Sequence, residues 1–333
     1  MTLQPSVIAL QALSILVLLS LGWGAFWAWR ILEGWDPESP SERQLRLEQR
    51  AWLVSAVVSR TCLAQGLSLA LFLHTADSLH RILPGAMCAA GSLNANAYGY
   101  PALLMKAGNG MLCGLWLILN RADRLAESFP LLRSRCRMLL GMLPLAAFEF
   151  ELQWDYFRNL AADGPVSCCD ALFNAEGRSV LAWVASLPVV PLEISFFAAM
   201  ALTLAAGVHV LLRRQGASLF GWAGLAVFPL TIASLIAFVF PYLYELPTHH
   251  CPFCILQREY AYIGYAIYAG LLGGTLAAAG ALVLSRCAGL PGLEGIVPRM
   301  QARLVAVGLL AYGLLTAIVT YAVLFSNLVL VEG

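Results

Sequence analysis

Apolar residues run along this chain in eight stretches, each long enough to cross a hydrocarbon core of roughly 30 Å as a helix of about 20 residues. They fall near 6–31, 52–75, 100–119, 138–157, 188–212, 219–244, 260–285 and 304–329. In lipid a segment must satisfy its own backbone hydrogen bonds, so runs of this length predict helices. The expected fold is all-α, a polytopic integral membrane helical bundle of about eight transmembrane helices forming a single transmembrane domain over 1–333. The longest polar connection is under about 25 residues, too short for an independent core. Segment 33–50 holds Pro37 and Pro40 and then reads Ser-Glu-Arg-Gln-Leu-Arg-Leu-Glu-Gln-Arg, the pattern of a short amphipathic helix outside the spans. No basic region precedes the first apolar run and no small-residue cleavage site follows it, so that run is expected to be retained.

Composition sharpens this picture. Sixty per cent of the residues are hydrophobic and twelve per cent charged, with a mean hydropathy of +0.76, whereas a soluble domain carries roughly 25% charged residues. The chain has no GxGxxG after a strand, no Walker A loop and no CxxCH, so nucleotide binding, covalent haem attachment and nucleic-acid recognition are not expected. A net charge of +1 says little, but the placement of the basic residues predicts orientation. Fourteen of the twenty lie in one set of connections: Arg30, Arg43, Arg46, Arg50, Arg121, Arg124, Arg133, Arg135, Arg137, Arg213, Arg214, Arg286, Arg299 and Arg303. Those loops are expected on the cytoplasmic side, with both termini outward. Tryptophans and tyrosines at span ends, among them Trp23, Trp154, Tyr242 and Tyr244, fit interfacial belts against membrane lipid.

This topology sorts the nine cysteines. Cys62, Cys113, Cys136 and Cys287 fall within spans or at cytoplasmic ends, while Cys88, Cys168, Cys169, Cys251 and Cys254 fall in outward loops. Disulfides persist on the outward side of a bacterial inner membrane. Cys251 and Cys254 form a CxxC in His249-His250-Cys251-Pro252-Phe253-Cys254-Ile255-Leu256-Gln257-Arg258, at the mouth of an apolar helix. A helix N-terminus or a nearby cation favours the reactive thiolate. With a helix starting near Pro252, Arg258 lies one turn beyond Cys254 on the same face. Tyr262 and Tyr265 continue that face, with Tyr260 and Tyr268 close by, and together they would wall a flat aromatic ring. The placement points to electrons moving between thiols and a membrane-soluble carrier.

Cys-x-x-Cys-Ile-x-x-Arg at the outward mouth of a transmembrane helix resembles the quinone-reducing motif of the DsbB family of disulfide-forming membrane proteins. The likeness covers eight to twelve residues of the 333. It implies that Cys254 engages a quinone, ubiquinone or menaquinone, that Cys251 is its disulfide partner, and that Arg258 is the cation at the quinone. That family has four helices and a second cysteine pair after the CxxC. Here the other outward cysteines precede it, an order more similar to the vitamin K epoxide reductase family. The implied shuttle pair is Cys88 with Cys168 or Cys169, since adjacent Cys168 and Cys169 are strained as a pair. A purely structural staple between two loops is the alternative. The resulting expectation is a membrane thiol-disulfide oxidoreductase of the bacterial inner membrane that takes electrons from a periplasmic thioredoxin-like protein.

Two other classes compete. His249, His250, Cys251 and Cys254 form a His-His-Cys-x-x-Cys cluster whose imidazole and thiolate donors suit copper or zinc, as in a metal-handling membrane protein. Ionisable groups inside spans, costly in a bilayer, fit a transporter or a respiratory-complex subunit. These are Lys106, Glu149, Glu151, Asp155, Arg60 and Glu193. A structural pairing of Lys106 with one of the carboxylates of span four, or snorkelling to the interface, explains the first four more simply.

Overall fold

The computed structural model describes residues 4–36, 41–126, 128–160, 180–328 and 330. Among the described residues all regular structure is helical. The helices are α1 (Pro5–Gly34), α2 (Glu42–Leu79), α3 (Ala89–Leu93), α4 (Gly99–Leu125), α5 (Leu132–Arg158), α6 (Val180–Ala185), α7 (Val189–Arg213), α8 (Ala217–Ser234), α9 (Phe240–Tyr244), α10 (Ile263–Cys287) and α11 (Ile296–Phe325). A π-helical turn, Leu235–Val239, joins α8 to α9.

Seven helices are long and apolar enough to cross a membrane, with α8 through α9 counting as one. The stretch near 138–157 forms helix α5 but is not among the seven. Its apolar middle is short, because Arg133, Arg135 and Arg137 enter at one end and Glu149, Glu151 and Asp155 at the other. The polar segment at 42–50 is no separate element. Ser41 caps α2 by accepting the Gln44 N–H at 3.3 Å, and the helix then runs unbroken for 38 residues.

Packing sorts the chain into two compact units. The first comprises Met1–Pro84, Ser92–Gly164 and Gly289–Ile296. There α1 packs on α2 and α5, and α4 packs on the same two helices, closing a ring of four. Val17, Leu21, Val58, Trp116, Leu139 and Met142 are core residues of this ring. Buried within it, Lys106 Nζ lies 2.6 Å from Glu149 Oε1 and donates to Ser68 Oγ at 2.8 Å. The other carboxylate oxygen accepts from Gln65 Nε2 at 2.5 Å and Asn109 Nδ2 at 2.6 Å.

The second unit comprises Gly85–Gly91, Pro165–Ala288 and Val297–Gly333. In it α8 packs against α7 and α10. Small residues set the approach of these backbones. A Cβ at Gly224 would lie 2.4 Å from the Cβ of Ala278, and one at Gly274 would lie 2.6 Å from the Tyr312 ring. Tyr312 of α11 fills that space and donates its hydroxyl to the Gly224 carbonyl at 3.0 Å.

Candidate functional site

The CxxC occupies the connection between α9 and α10, and no α-helix starts at Pro252. Two short 3₁₀ turns, Cys254–Leu256 and Arg258–Tyr260, carry the chain instead, and α10 begins only at Ile263. The connection is bracketed by left-handed residues that are not glycine: Glu245 (φ 54°) where α9 ends, and Ala261 and Tyr262 (φ 50° and 56°) before α10. Such conformations cost L residues roughly 1–2 kcal/mol each and persist where surrounding contacts over-determine them. Gly264 permits the fold-back, since a Cβ there would meet Ile255 Cγ1 at 2.7 Å.

Cys251 and Cys254 are buried in this loop, at 1% and 8% exposure, and Cys88 at 0% joins them from the segment 85–91. The three Sγ atoms lie within 4.8 Å of one another. Cys88 Sγ is 3.6 Å from Cys251 Sγ, beyond the roughly 2.05 Å of an S–S bond yet near enough for exchange. Gln257 Nε2 donates to the Met87 carbonyl at 3.1 Å, which ties the two segments together beside the sulfurs.

Tyrosines hold the loop backbone. Tyr244 donates its hydroxyl to the Cys251 carbonyl at 2.5 Å and accepts the Ile255 N–H at 3.0 Å. Tyr268 donates to the Pro252 carbonyl at 2.5 Å. The Tyr260 ring meets that of Tyr244 edge-on at 4.7 Å. Burial, then the nearby Cys254, Glu259 and Cys251, holds the Tyr260 phenol above its ordinary pKa. Tyr244 was expected in an interfacial belt, but it is buried against the CxxC. Its sequence position, seven residues before Cys251, was the only signal.

His250 anchors the loop to the π-turn. In that register the N–H of residue 241 would serve the Ile236 carbonyl, just as Phe240 N–H serves Leu235, but residue 241 is proline and has no N–H. His250 Nδ1 donates to the Ile236 carbonyl at 2.7 Å in its place. His249 packs its ring edge-on against Tyr244, 4.6 Å between centroids. The expected His-His-Cys-x-x-Cys metal cluster is therefore not what the fold assembles. Among the described residues, the one grouping of possible metal ligands is Cys88, Cys251 and Cys254.

The expected face Arg258–Tyr262–Tyr265 does not form either, because the chain is not helical across it. Arg258 is exposed, and Tyr262 and Tyr265 are 53% and 41% exposed. An apolar cleft of about 490 Å³ lies instead beside Tyr260, lined by Leu243, Ala261, Ile263, Ile318 and Tyr321 among others. Cys168 and Cys169, the expected partners of Cys88, lie outside the described residues. Among the span charges, Glu149 is the carboxylate that Lys106 takes. Glu151 and Arg60 are exposed, while Asp155 and Glu193 are half-buried.

Comparison with protein-family models, with characterised proteins and with solved structures finds no match for this chain, so the site is interpreted from its own geometry.

Proposed function

We propose that this chain is a multi-pass thiol-disulfide oxidoreductase of the bacterial inner membrane, with its thiol site on the periplasmic side and a quinone as electron acceptor. The observation that carries the proposal is the convergence of three buried sulfurs from chain segments 163 residues apart. A CxxC alone closes one disulfide. A third sulfur near Cys251 lets that disulfide be opened from within the protein, since exchange needs a thiolate directed at a disulfide sulfur.

In the proposed cycle, the two electrons come from a dithiol of a thioredoxin-like protein, which leaves as its disulfide, and they end on the Cys251–Cys254 pair by successive thiol exchange through Cys88. The Cys88 thiolate attacks Cys251, which breaks the Cys251–Cys254 bond and leaves Cys254 as a thiolate. One thiolate of the partner then attacks Cys88 in the Cys88–Cys251 disulfide and releases Cys251 as a thiolate. The partner's second thiolate attacks the first, which closes the partner's disulfide, releases Cys88 and leaves Cys251 and Cys254 reduced. The pair then returns to the disulfide as a ubiquinone or menaquinone takes two electrons and two protons to become the quinol. The apolar cleft beside Tyr260 supports a flat, membrane-soluble acceptor, because ligand sites are mostly apolar concavities of about 300–1,000 Å³. In this reading Tyr260, rather than Arg258, Tyr262 or Tyr265, faces the carrier. Within the unit that holds the thiols, Arg213 and Arg214 at the end of α7 and Arg286 in the last turn of α10, the end away from the CxxC connection, support placing the thiols outward.

The test uses purified protein in nanodiscs with a soluble ubiquinone analogue and dithiothreitol as donor. Cys254→Ser is expected to abolish quinol formation. Cys88→Ser is expected to keep dithiothreitol-driven turnover while losing turnover driven by reduced thioredoxin. Unchanged quinone reduction in Cys254→Ser would end the proposal.

A further inference from the structure

We propose that the reduced Cys88–Cys251–Cys254 cluster is a binding site for Cu(I), held by three thiolates. This goes beyond the redox reading, because it concerns what the thiols do when no disulfide is present.

The geometry is that of a three-coordinate soft-metal site. Metal–sulfur bonds of about 2.3 Å set three trigonal sulfurs about 4 Å apart. Here one pair stands at 3.6 Å and all three lie within 4.8 Å of one another. The ligand set selects the ion. Thiolates are soft donors that favour Cu(I), zinc and iron–sulfur clusters, but structural zinc takes four ligands in a tetrahedron. Among the described residues no fourth cysteine, histidine, aspartate or glutamate joins the group. The two histidines that adjoin Cys251 in sequence are engaged elsewhere, His249 against the Tyr244 ring and His250 on the Ile236 carbonyl.

The cluster is also preorganised. Tyr244 and Tyr268 hold the carbonyls of Cys251 and Pro252, and Gln257 holds that of Met87. Little ordering then remains for the ion to impose. Binding is coordination by sulfur with loss of thiol protons and involves no electron transfer. A disulfide between any two of the three removes two ligands at once, so oxidation of the site and occupation by metal exclude each other. The site's redox state therefore controls whether it holds copper.

The experiment titrates the full chain in nanodiscs, reduced with a phosphine and kept anaerobic, with Cu(I) against the chelator bathocuproine disulfonate. One Cu(I) per chain is expected, with a sulfur-only, three-coordinate shell by X-ray absorption. Cys88→Ser is expected to weaken binding by more than about tenfold, since even an outer-shell change costs about 10–100-fold. Cys251→Ser/Cys254→Ser should abolish binding, and His249→Ala should leave it unchanged. Protein oxidised by excess ubiquinone analogue should bind none.

Full affinity in Cys88→Ser, loss of binding in His249→Ala, or a parallel titration in which Zn(II) binds and Cu(I) does not would each overturn the proposal. So would absence of Cu(I) from wild-type protein whose three thiols are counted as reduced by alkylation and mass spectrometry. Copper binding without quinone turnover would remove the oxidoreductase reading alone, and turnover without copper binding would remove this one alone.

Discussion

A single phenol hydroxyl, that of Tyr244, serves two backbone groups of the CxxC loop: the Cys251 carbonyl and the Ile255 N–H. Tyr244→Phe keeps the ring and strands both groups in a buried site, at a cost of about 1–3 kcal/mol. The expected result is a lower thermal midpoint in detergent and faster alkylation of Cys251 by N-ethylmaleimide in the reduced protein. Cys287, half-buried at the far end of α10, is the internal control whose rate should not move. An unchanged Cys251 rate would mean that other contacts hold the loop. At this scale the CxxC, with Tyr260 and Tyr268 beside it, was legible because spacing and residue type are local, whereas Tyr244 read as an interfacial residue and Tyr262 and Tyr265 as a wall that does not form. Three things were not legible. The loop folds back onto Tyr244, His250 answers a carbonyl left without a donor by Pro241, and Cys88 lies beside Cys251. Each depends on where a distant segment comes to rest, which no periodicity encodes.

Helices were the most legible elements, since long apolar runs admit little else in lipid. The start of α10 was misjudged because Arg258, four residues beyond Cys254, matches a helical turn. The left-handed Ala261 and Tyr262 that break it carry no glycine to announce them. Helix α5 shows the converse case, a helix forecast correctly whose charges serve its neighbours. Glu149 of α5 gathers Lys106 and Asn109 of α4 and Gln65 of α2, so one carboxylate stitches three helices of the ring. Lys106→Met leaves that carboxylate buried without its cation, and breaking such a pair costs about 3–5 kcal/mol. Adding Glu149→Gln keeps an acceptor for Gln65 and Asn109 and removes the charge. Thermal unfolding in detergent should show a large drop for Lys106→Met and recovery of most of it in Lys106→Met/Glu149→Gln. Equal drops in the two variants would show that the amide network, not the charge balance, holds the ring.

For the molecule as a whole, the proposed orientation is open to direct test. Alkaline phosphatase is active only after export, so fused to the C-terminus it should be active, and inserted between α4 and α5 it should be inactive. A green fluorescent protein at the same two points should give the reverse pattern. If both patterns invert, the thiols face the cytoplasm and a periplasmic donor is excluded. The division into two units was not legible, because no polar linker marks it and two of the boundaries, Gly91–Ser92 in α3 and Ile296–Val297 in α11, fall inside helices. Nor did anything in the sequence show that Gly85–Gly91 leaves the run of the first unit to join the second. That detour sets a timetable for synthesis. Cys88 leaves the ribosome 163 residues ahead of Cys251, an interval of roughly 8–30 s at about 5–20 residues per second. The first ring of helices can thus close while the sulfur it flanks still waits for its companions, which makes completion of the three-sulfur centre a late event in the birth of the protein.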